Sequence, residues 1–99
     1  MDLNKFAKRA FSNALKRKKI TDTSNLGVQG AEALKGLMSE VEEFHKANPC
    51  EPSEHLPQYS EEVEELADIA ITAFTELYRR GVDIEKVLHE KMKFNEQRT

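Results

Sequence analysis

Residues 60–81 read SEEVEELADIAITAFTELYRRG, and this stretch decides the fold. Ser60 is a residue type that caps helix N-termini, and Glu61 and Glu62 behind it put negative charge at the positive end of a helix dipole. Val63, Leu66, Ile69, Ala70, Ala73 and Leu77 recur at three- and four-residue steps as one apolar stripe, and Ile71 and Phe74 widen it onto a second side. Arg79 and Arg80 suit the last carbonyls, and Gly81 suits a left-handed cap. The spacing predicts a helix that is apolar on two sides and needs more than one packing partner.

Outward from this segment, Asp83 is placed to cap a further helix running towards Arg98. On the other side Pro49, Pro52 and Pro57 make residues 48–58 a stiff connection. Before it, Leu34, Leu37, Met38, Val41 and His45 share one side of a helix over about 31–47, with Phe44 at its edge. Residues 21–30 are polar, contain two glycines and read as a loop. Leu3, Phe6, Ala7, Ala10, Phe11, Ala14 and Leu15 form an apolar stripe on a first helix whose other faces are basic. No alternating strand pattern or repeat competes. The expected architecture is all-α: a single four-helix, bundle-like domain over 1–99, with a basic amphipathic helix in 1–20 and the remaining helices within 31–98.

The chain has 99 residues, 38% hydrophobic, 33% charged, with no Trp. A core drawn from so few apolar residues is thin, so the subunit is expected to complete it as a homo-dimer or homo-tetramer. No apolar run approaches the ~20 residues of a membrane span, and the basic start lacks the apolar stretch of a signal peptide. Cys50 is the single cysteine, which excludes an internal disulfide and multi-cysteine zinc patterns and fits a cytoplasmic protein. Charge is unevenly spread: residues 1–19 carry seven bases against Asp2, and residues 39–68 carry ten acids against Lys46. The basic helix is a nucleic-acid surface only if the acidic middle is ignored, so nucleic acid is not the expected partner.

The acidic middle has a pattern. Glu40 and Glu43 lie about 60° apart on one helix, as do Glu65 and Asp68 on the next. Each helix thus presents two carboxylates from successive turns, beside Phe44 and Ile69 and with Glu61 and Thr72 nearby. Such a face is either simply solvated or gathered in a cleft, where repulsion is relieved by a divalent cation. Oxygen-only donors suit Mg²⁺, with Mn²⁺ as a substitute. His45 continues an apolar stripe and reads as a packed or capping residue; His89 has no spacing partner, and His55 and Tyr59 lie in the proline-rich connection.

Ser39-Glu40-Val41-Glu42-Glu43-Phe44, followed by Glu65-Leu66-Ala67-Asp68-Ile69, resembles the E-E-x-x-E and E-x-x-D signature of the MazG-like nucleotide pyrophosphohydrolases, in the all-α NTP pyrophosphatase superfamily. Residues 90–98, EKMKFNEQR, resemble that family's closing K-x-x-x-N-x-x-R segment. The resemblance implies that Glu40, Glu43, Glu65 and Asp68 bind the metal and carry catalysis. It departs from the pattern at Ser39, which stands where the family usually has a first glutamate. In the tail, Ile84, Leu88, Lys91, Asn95 and Arg98 keep one helical direction, so Lys91 and Asn95 are expected to point towards the carboxylates, and Lys91, Asn95 and Arg98 to bind phosphate.

The implied activity is Mg²⁺-dependent hydrolysis of a nucleoside triphosphate to a monophosphate and pyrophosphate. Two alternatives compete: a non-catalytic helical interaction module on the same scaffold, and an enzyme resembling phosphoribosyl-ATP pyrophosphatase. A metal titration separates the first, and the K-x-x-x-N tail favours the MazG-like branch over the second.

Overall fold

A computed structural model describes residues 1–98 and contains four helices: α1 (Leu3–Lys16), α2 (Leu26–Lys46), α3 (Glu61–Arg79) and α4 (Ile84–Glu96). Each begins at a side chain that accepts a free backbone N–H: Asp2, Asn25, Ser60 and Asp83 respectively. α3 ends where the sequence places its stop, with Gly81 at φ 72°. No helix among the described residues is long and apolar enough to cross a membrane.

The second helix starts five residues earlier than its polar, glycine-containing approach implies. Asn25 accepts from the Val28 N–H at 3.0 Å, and Thr23 Oγ1 accepts from the Asn25 N–H at 3.1 Å. Gly27 makes room for this cap, since a Cβ there would lie 3.2 Å from Asn25 Oδ1. The glycine that reads as a loop signal therefore belongs to the helix start.

α3 is the central element, packed against both α1 and α2. Against α1 it sets Phe74 edge-on to Phe6, with ring centroids 5.7 Å apart, and Tyr78 beside Phe11 at 5.1 Å. α4 joins through its first turn. Asn4 donates to Asp83 Oδ1 at 3.1 Å and accepts from the Ile84 N–H at 2.8 Å, and Ile84 is fully buried. Beyond that turn α4 runs out exposed, and among the described residues it does not reach α2.

Most of the stripe read as the main core face of α3 is exposed, with only Ile69 and Leu77 half-buried, which corrects the sequence expectation. Val63, Leu66, Ala70 and Ala73 are exposed, as are Leu34, Met38 and Val41 on α2. Phe74, expected to widen the helix outwards, packs inside against α1. The buried positions of α3 are polar, Thr75 and Glu76, and Arg79 has a side chain only 1% exposed. Its inner contacts to α2 are Arg79 with Glu32, and Thr72 close to Gly36. The charged pair and the close-approach glycine take the interhelical position that periodicity assigns to apolar residues.

The subunit is correspondingly open. Its accessible surface is 7594 Å², about a third above the roughly 5,700 Å² of a folded monomer of this mass. The radius of gyration is 14.9 Å, against about 13 Å for a compact chain of this length.

Candidate metal centre

α2 and α3 bring three of the four motif carboxylates together. Glu40, Glu65 and Asp68 each offer one oxygen, and these oxygens lie within 4.8 Å of one another. All three residues are half-buried. Glu43, one turn beyond Glu40, stands outside this triplet and borders the same cleft as Glu65.

The cluster is electrostatically uncomfortable as it stands. Burial pushes the Glu40 carboxyl above its ordinary range, helped by the Asp68 charge; burial does the same to Glu65, helped by Asp68 and Glu40. Asp68 is raised by burial and by Glu64. The positive charges of Lys19 and Arg17 act against this at Glu40 and Asp68. Repulsion and desolvation of this kind favour a proton or a cation in the cluster.

A divalent ion fits the donor set. Three hard oxygens from two helices suit Mg²⁺ or Mn²⁺, whose octahedral ligands at 2.0–2.1 Å sit about 3 to 4 Å apart. A spacing within 4.8 Å needs only a small inward shift of flexible carboxylates. Glu40, Glu65 and Asp68 are the residues that would hold such an ion.

Neighbouring groups are occupied elsewhere. Thr72 Oγ1 donates to its own helix at Asp68 O, 2.9 Å, and Glu61 Oε1 accepts from the Asn48 N–H at 3.1 Å. Buried Ser53 donates to Glu64 Oε1 at 2.5 Å, with His55 Nδ1 3.5 Å from the other Glu64 oxygen. The Ser53 bond, first among the causes, holds the Glu64 carboxyl below its ordinary range. Ser39 is exposed and borders a cavity on the α1 side of the cluster.

The structure does not bring Lys91, Asn95 and Arg98 to the carboxylates. All three are exposed on the outer part of α4, and Lys91 Nζ lies 4.7 Å from the ring centre of Phe94 on its own helix. The inward direction expected from periodicity fails because α4 is anchored only at its first turn, so nothing inside the subunit faces its end. His45 is exposed instead of packed, and Tyr59 and Cys50 are exposed as well.

Two features escaped the sequence reading. One is the Arg79 cluster, since a basic residue at a helix end looks like a cap. The other is the approach of Arg17 and Lys19 to Glu40 and Asp68, which depends on how the chain turns after α1. Comparison of the chain with protein-family models, curated proteins and solved structures returned no match.

Proposed function

We propose that this protein is a Mg²⁺-dependent hydrolase that cleaves a nucleoside triphosphate between its α and β phosphorus atoms. Water adds to the α phosphorus, the bond from it to the bridging oxygen breaks, and a monophosphate and pyrophosphate leave. The reading is supported by one observation: carboxylates from the two separate motif segments meet as an oxygen-only cluster whose burial favours a cation. When bound, Mg²⁺ neutralises phosphate oxygens and the charge developing on the leaving pyrophosphate. Glu40, Glu65 and Asp68, on α2 and α3, would hold that ion. In this reading Glu43, which borders the same cleft as Glu65 and stands outside the triplet, orients the attacking water and accepts its proton. Cys50, exposed and unpaired, suits the reducing cytoplasm.

We also propose that the working form is a homo-oligomer, a dimer or a dimer of dimers. The exposed apolar positions of α2 and α3, and a surface about 1,900 Å² per subunit in excess of a compact monomer, about 3,800 Å² for a pair, fall in the range that obligate homodimers bury. Only in such an assembly does the free end of α4, with Lys91, Asn95 and Arg98, have a neighbouring site to serve.

The test is product analysis with the full chain. Pyrophosphate release requiring Mg²⁺ or Mn²⁺, abolished by EDTA and reduced about 100-fold or more in Glu65→Gln, is expected. Orthophosphate release would overturn the cleavage position. Equal activity in EDTA would overturn the metal role, and no metal binding by titration would favour the interaction module.

A further inference from the structure

Two cavities flank the carboxylate cluster, and they differ in charge. The one beside Glu43 and Glu65, about 480 Å³, is bordered by five carboxylates, those of Glu43, Glu54, Glu61, Glu64 and Glu65, against Lys46 and His55. The other, about 510 Å³, lies between α1, α2 and α3. Arg17, Lys18, Lys19 and Lys35 line it, and Glu40 and Asp68 belong to its wall. Two further acids there, Glu32 and Glu76, are already paired with Arg79. A polyphosphate is repelled from the first cavity and drawn to the second, whose volume is in the range of small-molecule sites.

The basic side of this cavity is held by a fixed turn. After α1 the Lys19 N–H donates to Ala14 O and the Lys18 N–H to Leu15 O, both at 3.0 Å, with Lys18 at φ 59°. This is the doubled-back helix end usually built with glycine. Cations there offset the negative end of the helix dipole, which alone explains their presence at the terminus. It does not explain their reach. Arg17 and Lys19 border the same cavity as Glu40 and Asp68, yet neither side chain forms an ion pair within 4.0 Å among the described residues. Cations facing anions across an open cavity leave room for a ligand that carries both signs, such as a phosphate chain with its cation.

We propose that the cavity between α1, α2 and α3 is a polyphosphate pocket in which Arg17 and Lys19 bind the phosphates while Glu40 and Asp68 hold the accompanying divalent cation. Ala10, Ala14 and Ile71 leave apolar wall in the same cavity for the nucleoside end. The role of the cation rests on the hydrolase reading; the anion pocket stands on its own electrostatics.

The test uses the full chain and inorganic tripolyphosphate, titrated calorimetrically with and without Mg²⁺. Arg17→Ala/Lys19→Ala is expected to weaken binding about tenfold or more, and to raise KM for a hydrolysed triphosphate by a similar factor, without weakening Mn²⁺ binding followed by electron paramagnetic resonance. The charge-matched Lys5→Ala/Lys8→Ala, on exposed positions of α1, is expected to bind as the wild type does. No tripolyphosphate binding by the wild type in either condition, or an equal loss in both double variants, overturns the pocket. Binding that depends on Arg17 and Lys19 in a protein that releases no pyrophosphate keeps the pocket and removes the hydrolase reading. Mg²⁺-dependent turnover insensitive to Arg17→Ala/Lys19→Ala does the reverse.

Discussion

Arg79 on α3 donates from Nη2 to Oε1 of Glu32 on α2 at 2.6 Å, with its guanidinium withdrawn from solvent. The same group donates to both Glu76 oxygens at 3.2 Å and to Thr21 O at 3.1 Å, so one side chain ties the two motif-bearing helices to each other and to the turn before α2. Arg79 and Thr21 together hold the Glu32 carboxyl below its ordinary range. The fork of a guanidinium suits this three-way role, and a lysine would not reproduce it.

Arg79→Ala leaves Glu32 without its counter-charge and unties it from α3, while Glu76 keeps its pair with Arg80 at 2.9 Å. Loss of hydrogen bonds from a withdrawn guanidinium costs about 1 to 3 kcal/mol, a sizeable fraction of the stability of so small a domain. Urea unfolding is expected to show that loss, with little recovery in Arg79→Lys. A loss under about 0.5 kcal/mol, the range of ordinary surface substitutions, would show that the helices are held by other contacts.

In the proposed oligomer the contact falls on the outer face of α2 and α3 and not at Phe74. Phe74 packs on Phe6 within the subunit, so truncating it should cost about 3 kcal/mol of subunit stability. Met38→Glu and Leu66→Glu change positions that are 62% and 51% exposed. They should leave the helices intact and split the oligomer, because a two-fold interface sets like charges against each other. Light scattering decides: a cooperative wild-type monomer of 11.3 kDa at micromolar concentration would refute the interface.

Lys18 sits in the left-handed region, where a side chain costs roughly 1 to 2 kcal/mol. Lys18→Gly is therefore expected to raise stability by about 1 kcal/mol, with the turn that carries Arg17 and Lys19 unchanged. A fall in the unfolding midpoint would mean that the Lys18 side chain makes a stabilising contact of its own.

Helix number, type and three of the four starts were legible because caps and periodicity are local. Ser60, Asp83 and Gly81 act on their own neighbours, and no tertiary contact is needed to read them. Which face turns inwards was not legible. Val63 and Leu66 look like core to any rule based on hydropathy, but the inner partners of α3 are set by Glu32, Gly36 and the aromatic rings of α1, which belong to other segments. The acidic triplet was readable for the same reason as the helices, since Glu65 and Asp68 share one helix face and Glu40 needs only the α2·α3 pairing. The tail was misread because periodicity gives the direction of Lys91 and Asn95 along a helix, and not what that helix packs against.

The carboxylate cluster makes a pH prediction with a definite sign. Glu40 and Glu65 titrate above 4.5 and Asp68 above 3.8 in the folded protein, so above those values the folded state holds more protons than the unfolded one. Their contribution to stability is then greatest at low pH and is lost as pH rises through the raised values. Glu32, Glu64 and Asp83 act oppositely: their carboxyls are depressed by hydrogen bonds, and their contribution is lost as pH falls through the depressed values. At pH 7 in EDTA the cluster is therefore a net liability, and Glu40→Gln should raise Tm. That gain should fade as the pH is lowered towards 4.5, where Glu40 itself becomes protonated. Saturating Mg²⁺ should reverse the order, because an ion at 100 times its Kd stabilises the folded wild type by about 2.7 kcal/mol, which a variant lacking one ligand forgoes. A wild-type Tm that ignores Mg²⁺ at pH 7, together with a Glu40→Gln Tm equal to it in EDTA, would mean that the three carboxylates neither strain the fold nor bind a cation.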